Sequence, residues 1–231
     1  MPLPSPPPRD NAAPQLLRAS GGELVWPDML AGEDLKPSPK QHRGQRARES
    51  IVRAAQALFG QNGYEATTVE EIAKAAGSAV GGFYRHFRSK RQVLLVVMRS
   101  LLDEFDARHS ARQFNESPDD ALERLRQGLK TRWVNAGAYR AWREAVVRDP
   151  ALAALHEAIE AVITARIGSA LAIAAAAPGC RADVDVSTLA LVVNVLFWRL
   201  IDTPPSERHA ISDALIRLVH HALFEDACEA R

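Results

Sequence analysis

From Gln45 onward the apolar positions of this chain recur at helical spacing. Ile51, Val52, Ala55, Leu58 and Phe59 share one helix face, and Gly60 and Gly63 bracket its end. Val69, Ile72, Ala73 and Ala76 form a one-sided stripe on a short helix. Val80, Phe83, Tyr84 and Phe87 are the bulky positions of a second short helix, from about 79 to 86. The same period predicts helices over roughly 90–109, 118–134, 137–148, 150–176, 183–201 and 205–227. Strand-like alternation is scarce. The pattern predicts an all-α protein.

Proline breaks the pattern at one end. Nine of the 14 prolines lie in residues 1–39, which read as a disordered, Pro-rich tail. Within it Leu24, Val25, Trp26, Met29 and Leu30 are either a patch apolar enough to dock or part of a flexible leader. The longest apolar run read here, Ala182 to Leu200, contains Asp183, Asp185, Asn194 and Arg199, so no membrane span of about 20 apolar residues is expected. Two cysteines, Cys180 and Cys228, fit a reducing compartment, and the start does not resemble a secretory signal. A cytoplasmic location is expected.

The net charge of +1 is unevenly spread over the 231 residues. Residues 1–39 are net −2, residues 40–91 net +6 and residues 92–231 net −3. A compact basic block on an otherwise acidic chain is the footprint of a nucleic-acid-binding module, although a charge run alone is more often a solvated face. A fold signal sits in the same window. Thr68-Val69-Glu70-Glu71 is a capping box that opens a helix, Gly77 stops it, and Ser89 with Gln92 opens the next long one. Two short helices joined by a glycine turn make a helix-turn-helix, whose second helix is expected in the major groove.

Ala54-Ala55, Leu58-Phe59, Gly63-Tyr64, Thr67-Thr68-Val69, Ile72-Ala73, Ala76-Gly77, Gly81, Tyr84, His86-Phe87 and Ser89-Lys90 recur here at fixed spacing. With them, residues 46–95 resemble the DNA-binding domain of TetR-type transcriptional regulators. The resemblance implies a helix-turn-helix domain with a basic N-terminal arm over 40–90, and a helical ligand-binding and dimerisation domain over 91–231. It implies DNA contacts from Arg46 and Arg48 of the arm, from Thr67 and Thr68 at a helix start, and from Ser78, Ala79, Val80, Gly81, Gly82, Tyr84, Arg85, His86 and Lys90. Tyr84 and Lys90 would reach phosphates, or would be a core tyrosine and a solvated lysine. The family often has hydroxyl or basic side chains where this chain has Ala79, Val80 and Gly82, which shifts weight to Arg85, His86 and backbone amides. Gly82 also lowers helix propensity by about 1 kcal/mol relative to Ala.

Beyond residue 91 the resemblance is one of helical pattern. Phe105, Phe114, Trp133, Tyr139, Trp142, Phe197 and Trp198 concentrate where the family builds its pocket, with Asn194 as one polar group in an apolar run. They are either core or the lining of an apolar cavity with an orienting amide. A fainter similarity to the EthR-like subgroup implies elongated, apolar ligands. The last two helices are apolar on more than one face, and Leu189, Val193, Leu196, Leu215, Leu218 and Leu223 are the expected dimer interface. A homodimer would bind a palindromic operator on double-stranded DNA and leave it when a hydrophobic small molecule binds, with the 90–109 helix as the link. His156-Glu157-Ala158-Ile159-Glu160 lacks the second imidazole of a zinc-peptidase motif, and no nucleophile or phosphate-loop motif occurs. Neither enzyme, metal nor cofactor is expected. A second reading stays open: a helical small-molecule-binding or adaptor protein with weakened DNA binding.

Overall fold

The computed structural model describes residues 24–37, 39–109, 118–181 and 183–224. Their order is α1 (His42–Asn62), α2 (Val69–Ala75), α3 (Val80–His86), α4 (Lys90–His109), α5 (Pro118–Val134), α6 (Ala136–Val146), α7 (Pro150–Ala175), α8 (Val186–Arg199) and α9 (Arg208–Leu223). A 3₁₀ turn, Leu200–Asp202, follows α8. Among the described residues the only β-type pairing is an isolated bridge between Cys180 and Phe224. The fold is all-α, as the spacing predicts.

Local chemistry sets several of the helix starts. Thr68 accepts from the Glu71 amide while the Glu71 carboxylate takes the Thr68 amide, a complete capping box at α2. Asp149 caps α7, with Pro150 in its first turn, and Asp185 caps α8. Gly77 has φ 68°, a left-handed conformation that lets the chain turn from α2 into α3.

α1, α2 and α3 close around Ile51, Phe59, Ile72, Phe83 and Phe87, all buried. α4 continues this core into the rest of the molecule. Every residue from Gln92 to Met98 is buried, so this stretch is covered on all faces. A second junction lies where α1 meets α6. A Cβ added to Gly137 would sit 2.5 Å from the Gly60 Cα and 2.5 Å from its carbonyl oxygen, so the two backbones touch. Around this contact, Glu144 of α6 accepts from the amides of Tyr64 (2.7 Å) and Glu65 (3.2 Å), and Arg91 pairs with Asp149 at 2.6 Å. α7 packs against α5, α6 and α8. With 26 residues it is long and apolar enough by composition to cross a membrane, which the 182–200 run is not, and Ile159, Val162, Ile163, Ile167 and Leu171 are buried in the protein.

The N-terminal stretch departs from the disordered tail expected over 1–39. Residues 1–23 lie outside the described residues, but 24–37 run docked along the helices. Met29 is 2% exposed and belongs to the main core. Trp26 meets Phe105 edge-to-face at 6.0 Å, and the Arg166 guanidinium lies 4.2 Å from the Trp26 ring centroid. Further along, Glu33 pairs with Arg91, Asp34 pairs with Arg88 at 2.8 Å, and Lys36 donates to the Tyr84 carbonyl. Apolar burial outweighs the proline content here, because only one proline lies between the anchors Trp26 and Met29, and Asp28–Lys36 is proline-free.

Candidate functional site

The helix-turn-helix presents a cationic face around α3. Arg46, Ala79, Gly81, Tyr84 and Arg85 are exposed, and the Tyr84 ring is braced edge-on by Phe83 at 5.4 Å. His86 is half-buried, and its pKa is lowered by burial and then by Arg85, Arg48 and Lys36. It is held towards the neutral form, in which one ring nitrogen accepts. Ala79 offers no side-chain cap to α3. Ser78 is half-buried, with its hydroxyl donating to the Ala79 carbonyl at 3.1 Å, and Val80 is half-buried against the core.

Several residues expected at DNA are engaged elsewhere. Lys90 Nζ donates to the carbonyls of Tyr64 (2.7 Å), Thr67 (2.9 Å) and Glu65 (3.3 Å), and lies 4.3 Å from the Tyr64 ring centroid. Three donors meet three acceptors, so Lys90 is neither solvated nor free for a phosphate. Thr67 is buried, its hydroxyl donating to the Gly63 carbonyl at 2.7 Å. The Thr68 amide is taken by Glu71 at 2.8 Å, which puts a carboxylate where a phosphate was expected. Those hydrogen bonds hold the Glu71 pKa below its usual value. Arg48 is half-buried, 4.8 Å from the Phe87 ring centroid, and burial lowers its pKa. Gly82 is buried, with its Cβ position 2.0 Å from Ser78 Oγ. Arg88 and Arg91, counted in the basic block, are neutralised by Asp34 and Glu33 of the N-terminal segment, while Lys36 from that segment joins the cationic face.

A cavity of about 1040 Å³ lies between α4, α5, α7 and α8, and Leu24–Met29 form one wall. Of the aromatics expected at a ligand pocket, Phe105 and Phe197 line this cavity. The other aromatics expected at the pocket are engaged by the protein's own groups and do not line this cavity. Trp133 donates to the Leu200 carbonyl at 2.7 Å and lines a separate cavity of about 480 Å³. Trp142 is fully buried and donates to His156 Nδ1 at 3.3 Å. Tyr139 and Trp198 meet edge-to-face at 5.9 Å within the core. Asn194 ties α8 to α7, donating to Thr164 Oγ1 at 3.0 Å and to the Glu160 carbonyl at 3.4 Å. Phe114 lies outside the described residues.

Most of the lining escaped the sequence reading, including Trp26, assigned to the tail, and Arg132. Arg132 stands three residues after Leu129 and seven after Leu125, in the apolar stripe of its helix. That misplaced charge was the available signal. Of the expected dimer residues, Val193, Leu215 and Leu223 are buried in the chain's own core, Leu189 and Leu196 are half-buried, and Leu218 is exposed. The open apolar positions on α8 are Leu191, Val192 and Val195. Because these helices are apolar on several faces, spacing alone did not separate the buried positions from the open ones.

Residues 51–97 match the family described as bacterial regulatory proteins, tetR family. The chain is 33% identical over 126 residues to the HTH-type transcriptional regulator TcmR of Streptomyces glaucescens, which covers 51% of this chain and 55% of that protein. It is 40% identical over 82 residues to the HTH-type transcriptional repressor KstR2 of Mycobacterium tuberculosis, 36% of this chain and 40% of the relative. The chain thus spans about half the length of the curated relatives it matches, or less. In fold it is similar to the solved structure of the ketosteroid regulator KstR2 of Mycobacterium tuberculosis, with a TM-score of 0.60 at 19% identity over 82% of this chain and 98% of that one. It is also similar to a transcriptional regulator of Saccharomonospora viridis in complex with choline, with a TM-score of 0.68 at 19% identity over 78% and 98% of the chains.

Proposed function

We propose that this chain, which carries the DNA-binding domain of the tetR family of bacterial regulatory proteins, is a cytoplasmic, ligand-responsive transcriptional repressor. The observation that carries the reading is the α2–Gly77–α3 unit, which offers Tyr84 and Arg85 to solvent, while Arg46 is exposed on α1. Arg85 supplies base-edge or phosphate hydrogen bonds, Tyr84 a phosphate contact, and Ala79 and Gly81 close approach to the groove. A homodimer would pair the open apolar positions of α8 with Leu218 of α9 and match a palindromic operator.

The effector would be a small molecule in the 1040 Å³ cavity, at the upper end of the usual range for ligand sites of about 300–1,000 Å³. Two connections lead from that cavity to α3. One is α4, buried through Gln92–Met98, and the other is the docked segment 24–37, which walls the cavity at Trp26 and holds Tyr84 through Lys36. A ligand that favours one arrangement of these elements shifts the population towards it and changes the fit to DNA. The fold neighbour that holds choline supports a small-molecule role for this architecture.

The test is fluorescence anisotropy on the chain's own upstream DNA across a salt series. Steep salt dependence with loss of affinity in Arg85→Ala and Tyr84→Phe, the oligomer remaining intact, is the expected result. Binding no tighter than to random DNA, unchanged in both variants, refutes it. That outcome would favour the adaptor reading, which draws on the engagement of Lys90 and the Thr68 amide by the protein itself.

A further inference from the structure

Arg132 is 3% exposed, yet it lines the large cavity. Its guanidinium carbon lies 4.5 Å from the Trp198 ring centroid and 5.8 Å from those of Tyr139 and Phe197. Its Nη1 has no hydrogen-bond partner, and among the described residues no carboxylate pairs with it. Glu160 is the acidic group it feels, but the two form no ion pair, and burial pushes the Glu160 pKa up towards its neutral form. A buried cation with no counter-charge is costly unless something completes it. The other arginines of the cavity each have a partner, Arg124 included. Arg166 is held by Asp106 and the Leu24 carbonyl, and Arg99 lies 3.8 Å from Asp103.

We propose that the cavity binds an amphipathic organic monoanion, its carboxylate seated on Arg132 and its apolar body lying along Phe105, Leu125, Ile167 and Trp26. The proposal rests on the effector reading above and names the chemistry of that effector. One unpaired guanidinium neutralises one charge, which selects a carboxylate over a phosphate dianion. The planar fork of arginine matches a carboxylate in bidentate fashion. Gly128, one turn before Arg132, lines the same wall, with the Phe197 and Phe105 rings 3.6 and 3.8 Å from its Cβ position. An apolar surround makes each charge-assisted hydrogen bond count for more than it would in water.

The test is calorimetric titration of the full chain with dodecanoate and with dodecanol, which differ only in the head group. Dodecanoate binding at least tenfold more tightly, a difference of about 1.4 kcal/mol, is expected. In Arg132→Met that preference disappears while dodecanol affinity stays the same. Arg132→Met replaces a buried unpaired charge with an apolar side chain of similar length, so its unliganded melting temperature should equal or exceed that of the wild type. Should it fail to fold, the wild-type ratio and Arg132→Lys, which keeps the charge and loses the fork, decide the matter: a reduced preference in the lysine variant supports the site. Equal affinities in the wild type, or a preference untouched in either variant, overturn it. Dodecanoate that binds through Arg132 and leaves DNA affinity unchanged overturns the effector reading and supports the site. Release of DNA by dodecanol without any carboxylate preference overturns the site and leaves the effector reading standing.

Discussion

Gly137→Ala adds one methyl group at the point where α6 meets α1. That methyl would lie 2.5 Å from the Gly60 Cα, 2.5 Å from its oxygen and 2.9 Å from its carbonyl carbon. Carbon atoms prefer about 3.5–4.0 Å, so the helices must part by roughly 1 Å. The obstacle is backbone, so no rotamer change relieves it. Parting the helices also stretches the Gln56–Asn135 contact (3.3 Å) and the Glu144 bonds to the Tyr64 and Glu65 amides. Overpacking of this kind costs about 1–3 kcal/mol, and the lost hydrogen bonds place Gly137→Ala near the upper end. The reciprocal change behaves differently. A Cβ on Gly60 meets nothing closer than 3.8 Å, so Gly60→Ala leaves the junction intact and gains up to about 1 kcal/mol of helix propensity. Urea unfolding of both variants measures the contrast. Equal effects of the two substitutions, or a Gly137→Ala cost below about 0.5 kcal/mol, refute the backbone contact as the element that sets how α1 sits on α6.

Lys90→Met keeps a side chain of similar length but leaves three carbonyls without their donor, so a loss of about 2–3 kcal/mol is expected, with the salt dependence of DNA binding unchanged. Near-neutral stability with a salt slope reduced by about 1 would return Lys90 to the phosphate backbone. Met29→Ala should cost about 2–3 kcal/mol, because a core side chain is truncated, and a double variant with Trp26→Ala should cost less than the sum, since the loss cannot exceed the docking energy of the segment. Unchanged stability by urea titration would return residues 24–37 to a tail. His156 accepts from Trp142, and its pKa is lowered from 6.5 by burial first and then by Arg132 and Arg143. The unfolded chain therefore takes up this proton before the folded one. Stability is fully present above about pH 6.5 and falls as pH drops from there through the depressed folded value. His156→Gln should flatten the decline in melting temperature between neutral and mildly acid pH, and an equal decline in both proteins would exclude His156 as its source.

Much of the helix-turn-helix was legible because its signals are local. The Thr68–Glu71 box, the Gly77 turn and the stripe of Ile72 and Ala73 each involve residues within a turn or two of one another, and the spacing alone states which face is buried. The same locality explains the long helices and their caps at Asp149 and Asp185. Whatever depends on partners distant in sequence was hidden. Nothing adjacent to Lys90 announces three carbonyls more than 20 residues upstream, and nothing near Gly137 announces Gly60. α4 and α7 carry apolar side chains all round, so their pattern does not say which side meets a cavity and which meets another helix. That choice was made by packing. It put Trp133, Tyr139 and Trp142 into the core, opened Leu191, Val192 and Val195 to solvent, and docked Met29 from a stretch whose composition reads as disorder. It also set Arg132 in the wall of the cavity. Helical period and capping are free energies of neighbours along the chain, whereas a pocket is what remains when faces that are distant in sequence meet.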